Sequence, residues 1–327
     1  MYHRTTFRLF FMSRILVTGS VAYDLLLTYD GSFTDAINPE ALDSLSVGYV
    51  TPHFAKHHGG TGANISWGLS LLGQNPLLVA TVGNDGGSYL ALLEERGVKI
   101  DHIEILEDAF TSTAIIGTDD LEHQIIFYHP GADSKGAWPD LAQDRDDLEY
   151  AIVSPRDATV MMQALAWCDK FGVKAIFDPG QQVMSFTADT LMRAIGHSQG
   201  VIANSYEWSV ITETLSTTEG ELLKHVPFIV VTRGEKGAEI FTQDDAIQVP
   251  ACTAEQVQNP TGAGDALRAG LLTGLSNGWS LRDAVRLGAA MGSYAVETEG
   301  TLMDSLDIEH LRERARIAYG EELPALS

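Results

Sequence analysis

Between residues 259 and 265 the chain reads Asn259-Pro260-Thr261-Gly262-Ala263-Gly264-Asp265, three small residues leading directly into an aspartate. The residues that follow, Ala266-Leu267-Arg268-Ala269-Gly270-Leu271-Leu272, suit a helix. A Gly-Ala-Gly bend with so little side-chain bulk lets backbone N–H groups approach an anion closely. The helix start adds unpaired donors and the positive end of its dipole. Asp265 would then stand beside that anion, an unfavourable place for a carboxylate unless it takes part in the chemistry. Orienting a hydroxyl that attacks a phosphoryl group, and accepting its proton, is such a part. Aspartate is also common at the start of helices, and this segment alone leaves both readings open.

The elements that must position these residues alternate along the chain. Apolar, β-branched runs at 15–19, 77–82, 150–153, 175–177, 201–203 and 228–232 read as buried strands. Helical stretches separate them. One runs from Thr61 to Leu72, with Ile65, Leu69 and Leu72 as its core stripe; another lies around Tyr89 to Arg96, and two long helices follow Asp265. This order predicts an α/β fold, a doubly wound and mostly parallel sheet with helices on both faces. Residues 22–58 and about 101–130 break the alternation and read as extra strands. In the second of these, 113–117 and 124–128 flank a polar turn and form a hairpin. A small β layer beside a doubly wound core suits a lid over a cleft.

Ligands of parallel sheets gather beyond the carboxyl ends of the strands. The first strand is followed by Gly19 through Asp24, and the first long helix is preceded by Gly59-Gly60 and opens with Thr61-Gly62-Ala63-Asn64. Later strands lead into Asp178-Pro179-Gly180-Gln181-Gln182, Asn204-Ser205-Tyr206-Glu207 and Thr232-Arg233-Gly234. Polar groups thus converge on one rim. Taken singly, Asp24 suits a turn, Asn64 suits the first turn of a helix, and Asn204 with Glu207 suits a capping box. His129 reads as a surface histidine.

With 327 residues, 45% of them hydrophobic, the chain can bury a large core. Its formal charge of −23, from 21 basic and 44 acidic side chains, argues against nucleic acid and anionic membranes as partners. Small anionic ligands remain compatible, because local N–H groups or a metal can hold them. Two distant cysteines, Cys168 and Cys252, fit a reduced, cytoplasmic protein without a disulfide framework. Residues 1–11 read as an extension outside the fold, with Met12 directly before the first strand. No run approaches the roughly 20 apolar residues that span a bilayer.

From Met12 to about Leu306 the chain resembles the ribokinase-like carbohydrate and nucleoside kinases, the PfkB family. The resemblance rests on Gly59-Gly60 with Asn64, on Thr261-Gly262-Ala263-Gly264-Asp265, and on Asn204-x-x-Glu207 between them, in that order. Walker A and GxGxxG patterns are absent where they would matter. The resemblance implies one ribokinase-like domain over 12–327, with a lid from about 22–58 and 101–130. It also implies ATP and Mg²⁺ as cofactors and a small nucleoside or sugar as acceptor. By the same token Asp265 is the base, and the N–H groups of Gly262, Ala263, Gly264 and Asp265 form the anion hole. Asp24, Gly59, Gly60 and Asn64 fall where the acceptor is gripped. Glu207, with Asn204, matches a motif linked to magnesium, held largely through water. Thr232 and Gly234 line the ATP site, and Ala290, with Ala289 and Ser293, flanks the adenine.

The departures are informative. Asn259 replaces an aspartate that often helps to bind a monovalent cation, which puts potassium activation in doubt. Leu267 replaces a common phenylalanine, a packing change. Gln181-Gln182 replaces an asparagine-then-arginine pattern frequent among sugar kinases, and few basic residues lie near the first motif beyond Lys56, His57 and His58. A sugar phosphate would want a basic clamp, so the reading favours 5′-phosphorylation of a nucleoside, as in adenosine-kinase-like members, over a free pentose or hexose. Phe127 and Tyr128 on the lid suit a flat base. Open lid edges can be shared between subunits, which leaves a homodimer through the lid open without deciding it.

Overall fold

The computed structural model describes residues 14–36 and 46–326. The N-terminal extension at 1–11, Met12 and part of the first insertion lie outside the described residues. The large sheet is built from β1 (Arg14–Thr18), β4 (Pro76–Gly83), β5 (Lys99–Leu106), β8 (Leu148–Val153), β9 (Lys174–Phe177), β10 (Gly200–Asn204), β11 (Phe228–Thr232), β12 (Ala238–Thr242) and β13 (Ala246–Val249). Its spatial order is β13-β12-β11-β10-β9-β8-β1-β4-β5. All neighbours are parallel except β11–β12 and β12–β13. The helices are α1 (Thr61–Leu71), α2 (Gly87–Glu95), α3 (Ala158–Phe171), α4 (Ala188–Gly196), α5 (Ser205–Leu215), α6 (Glu219–Leu222), α7 (Ala263–Ser276), α8 (Leu281–Ala295) and α9 (Ile308–Tyr319).

Strand residues alternate between two buried layers, which is why the central strands read as continuous apolar runs. Ile15, Val17, Leu78, Ala80, Ile152, Ile176 and Val230 pack with Ile65 and Leu69 of α1 and Leu271 and Leu272 of α7. Leu16, Val79, Ala151, Phe177, Val201 and Ile229 pack on the other side with Met161 and Leu165 of α3, Leu191 of α4 and Ile211 of α5. The doubly wound expectation therefore holds. The antiparallel strands β12 and β13 were not legible in the sequence, since they are short and only partly buried. A third helix, α9, also follows the two expected after Asp265.

A second sheet of four strands has the order β3-β2-β6-β7, with β2 Ala22–Tyr29, β3 His53–Gly59, β6 Ser112–Asp119 and β7 Gln124–His129. The β6–β7 pair is the expected hairpin. One expectation is corrected here: residues 101–106 belong to β5, which pairs with β4 in the large sheet, and the second sheet takes up the chain only at Ser112. Register places Asp24, Ala114 and Tyr128 in one row and on one face. Phe54, Ile115 and Phe127 share the opposite face and are exposed. Among the described residues no helix is long and apolar enough to cross a membrane.

Candidate active site

The site lies at the carboxyl ends of the parallel strands, where α7 meets them. Gly262 caps α7 in the left-handed region with φ 88°, and Asp265 is the third residue of the helix. The N–H of Ala263 reaches the carbonyl of Pro260 at 3.4 Å. Among the described residues, the N–H groups of Gly262, Gly264 and Asp265 have no hydrogen-bond partner. Three of the four expected anion-hole donors are thus free, and the fourth is committed to a long turn bond. Unpaired donors at a helix start are a ready anion site.

Asp265 is held from below. Asn64, in the first turn of α1, donates from Nδ2 to Asp265 Oδ2 at 2.8 Å. Thr301 Oγ1 lies 2.9 Å from Asn64 Oδ1 and 2.8 Å from the His58 carbonyl, so its one proton is shared between the two acceptors. Asn64, expected on the acceptor, therefore orients the carboxylate in this structure. Burial pushes the Asp265 carboxyl up to about 6, with Asp178 and Asp24 adding to the rise and Arg268 and the Asn64 bond opposing it. Its ionised form, the one able to accept a proton, is lost as pH falls through that value.

Asp24, on β2, lies near enough to Asp265 for the two carboxylates to repel. Its carboxyl is raised by burial, which the nearby His57 opposes. Among the described residues no protein donor bonds its oxygens. A desolvated, unpaired carboxylate is matched by hydroxyl donors, which suits a diol. Gly59 makes room for it: a Cβ there would lie 2.5 Å from Asp24 Oδ2.

A cleft of about 340 Å³ opens above Asp265, walled by Asn204, Glu207, Thr232, Gly264, Arg268 and Tyr128 among others. Asn204 and Glu207 do form the capping box: Asn204 N–H donates to Glu207 Oε2 at 2.8 Å, and Glu207 N–H donates to Asn204 Oδ1 at 2.9 Å. Both still line the cleft, so capping does not withdraw them from its wall. Tyr128 lines it as well, whereas Phe127 points to the other face and His129 is exposed.

Two residues expected at the ATP site do not line this cleft. Ala290 is fully buried among Leu287, Met291, Leu311 and Ala315, where its small side chain lets α8 pack closely against α9. Gly234 sits exposed in a short 3₁₀ turn beyond β11, outside the cleft wall. Among the described residues no group of three or more His, Cys, Asp or Glu could ligate a metal directly. Glu207 nevertheless fits a water-held divalent ion: burial raises its carboxyl, with Asp178 adding to the effect, and a nearby cation would relieve that cost.

Sequence reasoning passed over two buried arginines in the cleft wall. Arg268 of α7 forms a two-pronged ion pair with Asp178, from Nε to Oδ2 at 2.6 Å and from Nη2 to Oδ1 at 2.5 Å. Arg156 pairs with Asp133 at 3.1 Å and donates to Thr18 Oγ1, tying the segment after β7 to the large sheet. A basic residue one turn after Asp265, on an otherwise apolar helix of an acidic chain, was the available signal for the first.

Residues 12–308 match the pfkB family carbohydrate kinases. A nucleoside kinase from Methanothermobacter thermautotrophicus is 30% identical over 314 residues, 95% of this chain and 98% of the relative. A nucleoside kinase from Methanocaldococcus jannaschii is 29% identical over 294 residues, 88% of this chain and 92% of the relative. Among solved structures, the nucleoside kinase of Burkholderia thailandensis in complex with inosine superposes with a TM-score of 0.82 at 31% identity, covering 95% of this chain and all of that one (100%).

Proposed function

Because the chain belongs to the pfkB family of carbohydrate kinases, we propose that it transfers the γ-phosphoryl of ATP to the 5′-hydroxyl of a nucleoside. The observation that carries this is the placing of Asp265 in a cleft wall beside free helix-start donors, with the unpaired carboxylate of Asp24 near enough for the two charges to repel. Asp24 accepts hydrogen bonds from the ribose diol. The 5′-oxygen then lies against Asp265, which takes its proton as the new O–P bond forms and the bond to ADP breaks. The N–H groups of Gly262, Gly264 and Asp265 hold the equatorial oxygens as charge spreads over them. Mg²⁺, when bound near Glu207 through water, neutralises charge on the triphosphate. The second sheet acts as the lid, with Tyr128 bringing an aromatic ring to the base and the closed sheet excluding water that would otherwise hydrolyse ATP. ATP as the donor and the unpaired Cys168 and Cys252 support a cytoplasmic setting for this reaction.

A sugar kinase acting on a free pentose or hexose is the second reading, favoured by the fact that Asp24 would grip a bare ribose equally well. Transfer of labelled phosphate from ATP to adenosine, inosine, ribose and hexoses separates the two. Nucleosides are expected to show the higher kcat/KM. A preference for ribose or a hexose would overturn the nucleoside assignment in favour of the second reading.

Cation dependence follows from Asn259. Its Nδ2 donates to the Glu299 carbonyl at 2.9 Å and its Oδ1 accepts from Thr261 N–H at 2.9 Å. The neutral amide thus braces the turn with its own donor, where a carboxylate would need a cation to bridge it to a carbonyl. The rate is expected to be the same in potassium and in an inert organic cation at equal ionic strength. Strong activation by potassium would contradict this.

A further inference from the structure

Arg268 does more than neutralise Asp178. Its Nη1 donates to the carbonyl of Gly264 at 3.0 Å. That carbonyl and the Asp265 N–H belong to one planar trans peptide, so they point in opposite directions and fixing one fixes the other. The N–H so aimed is one of the three without a protein partner. A guanidinium on the carbonyl also polarises the peptide, which strengthens its N–H as a donor. The arginine is itself held rigidly. Both prongs of its fork are on Asp178, and Ser154 donates to Asp178 Oδ2 at 2.8 Å. Asp178 in turn is anchored at the end of β9, its N–H bonded to the Val153 carbonyl at 2.9 Å. The side chains of Arg268 and Asp178 are only 9% and 1% exposed.

We propose that Arg268, clamped by Asp178, is a positioning residue for phosphoryl transfer, aiming the Gly264–Asp265 peptide N–H at the incoming phosphoryl and setting a fixed positive charge one helical turn behind the base. This rests on the reading of Asp265 as the base. The charged and titratable groups around that carboxyl are Arg268 on its own helix, Asp178 beyond β9, Asp24 on β2 and Tyr89 on α2, while Glu207 of α5 faces Arg268. Arg268 lowers the Asp265 carboxyl and Asp178 raises it.

The two partners therefore carry opposite electrostatic signatures but one shared geometric role. In Arg268→Met the acid limb of kcat/KM against pH, expected near 6 in the wild type, moves to higher pH. In Asp178→Asn it moves to lower pH, because a negative neighbour is removed. Both variants lose kcat, by about 10²-fold for the arginine, with nucleoside KM little changed. Arg268→Lys keeps the limb near its wild-type position, since the charge stays, but loses rate because an ammonium lacks the fork. Rates are taken per folded protein, measured by thermal melting. Should Arg268→Met not fold, the lysine and Asp178→Asn variants carry the same comparison. Limbs that stay put or move together, or full kcat in Arg268→Lys, would overturn the proposal. A wild type that phosphorylates no nucleoside overturns the underlying reading, and this inference with it.

Discussion

Asp265→Asn is expected to reduce kcat by at least about 10²–10⁴-fold, the contribution of a well-placed proton acceptor. That corresponds to about 2.7–5.5 kcal/mol of lost transition-state stabilisation. Asparagine keeps the size of the side chain and an oxygen able to accept from Asn64 Nδ2, so the local packing should survive. What it lacks is the basic oxygen. ATP affinity should stay nearly intact, because the donors that meet the phosphates are backbone N–H groups at the start of α7 and do not depend on the side chain. Single-turnover rates with saturating nucleoside, together with calorimetric titration of ATP, separate the two effects. A variant that turned over at close to the wild-type rate would remove Asp265 from the base position. A variant that lost ATP binding instead would show the carboxylate to be structural.

Gly60→Ala is expected to be the most damaging small substitution around the acceptor site. Gly60 caps α1 with φ 93° and ψ 131°, a sparsely populated combination that costs a residue with a side chain about 1–3 kcal/mol. The added methyl would also lie 2.6 Å from the Ser20 carbonyl oxygen and 2.7 Å from the Ala22 nitrogen, which are backbone atoms with no rotamer to yield. Overpacking of this kind costs about 1–3 kcal/mol more. The segment that must move joins β1 to β2 and leads two residues on to Asp24, and the helix on its other side carries Asn64. The unfolding midpoint should therefore fall by roughly 3 °C or more, and nucleoside KM should rise together with a loss of kcat. A melt and a KM unchanged from wild type would mean that this junction is softer than its contacts indicate.

The fold was readable because the core strands are buried on both faces and bounded by glycine-rich turns, as in β4, where every residue from Pro76 to Gly83 is buried. β12 and β13 escaped because a short, partly buried strand has neither a continuous apolar run nor enough length to show alternation. The chemistry-bearing turn was legible for a local reason: Gly262 to Asp265 are consecutive, and both the bend and the helix start follow from their residue types. The Asp178–Arg268 pair was not, since its members are 90 residues apart and nothing local marks an arginine on an apolar helix as facing an aspartate. Asn64 shows the same limit. Its place near the site was expected, but its partner, Asp265, lies 201 residues away, and only the packed structure shows that it orients the carboxylate. Ala290 shows the converse limit, because small residues on a helix serve close packing as readily as a flat ligand, and here it is buried.

The most direct test of the account follows the products of one reaction. The protein is incubated with ATP, Mg²⁺ and inosine, and with 5′-deoxyinosine in parallel, and the products are identified by phosphorus NMR and mass spectrometry. The account predicts ADP and the nucleoside 5′-monophosphate in equal amounts from inosine, and no phosphorylated product from the deoxy analogue. Phosphate on a ring hydroxyl, a phosphorylated 5′-deoxy compound, or ADP formed with free phosphate alone would contradict it.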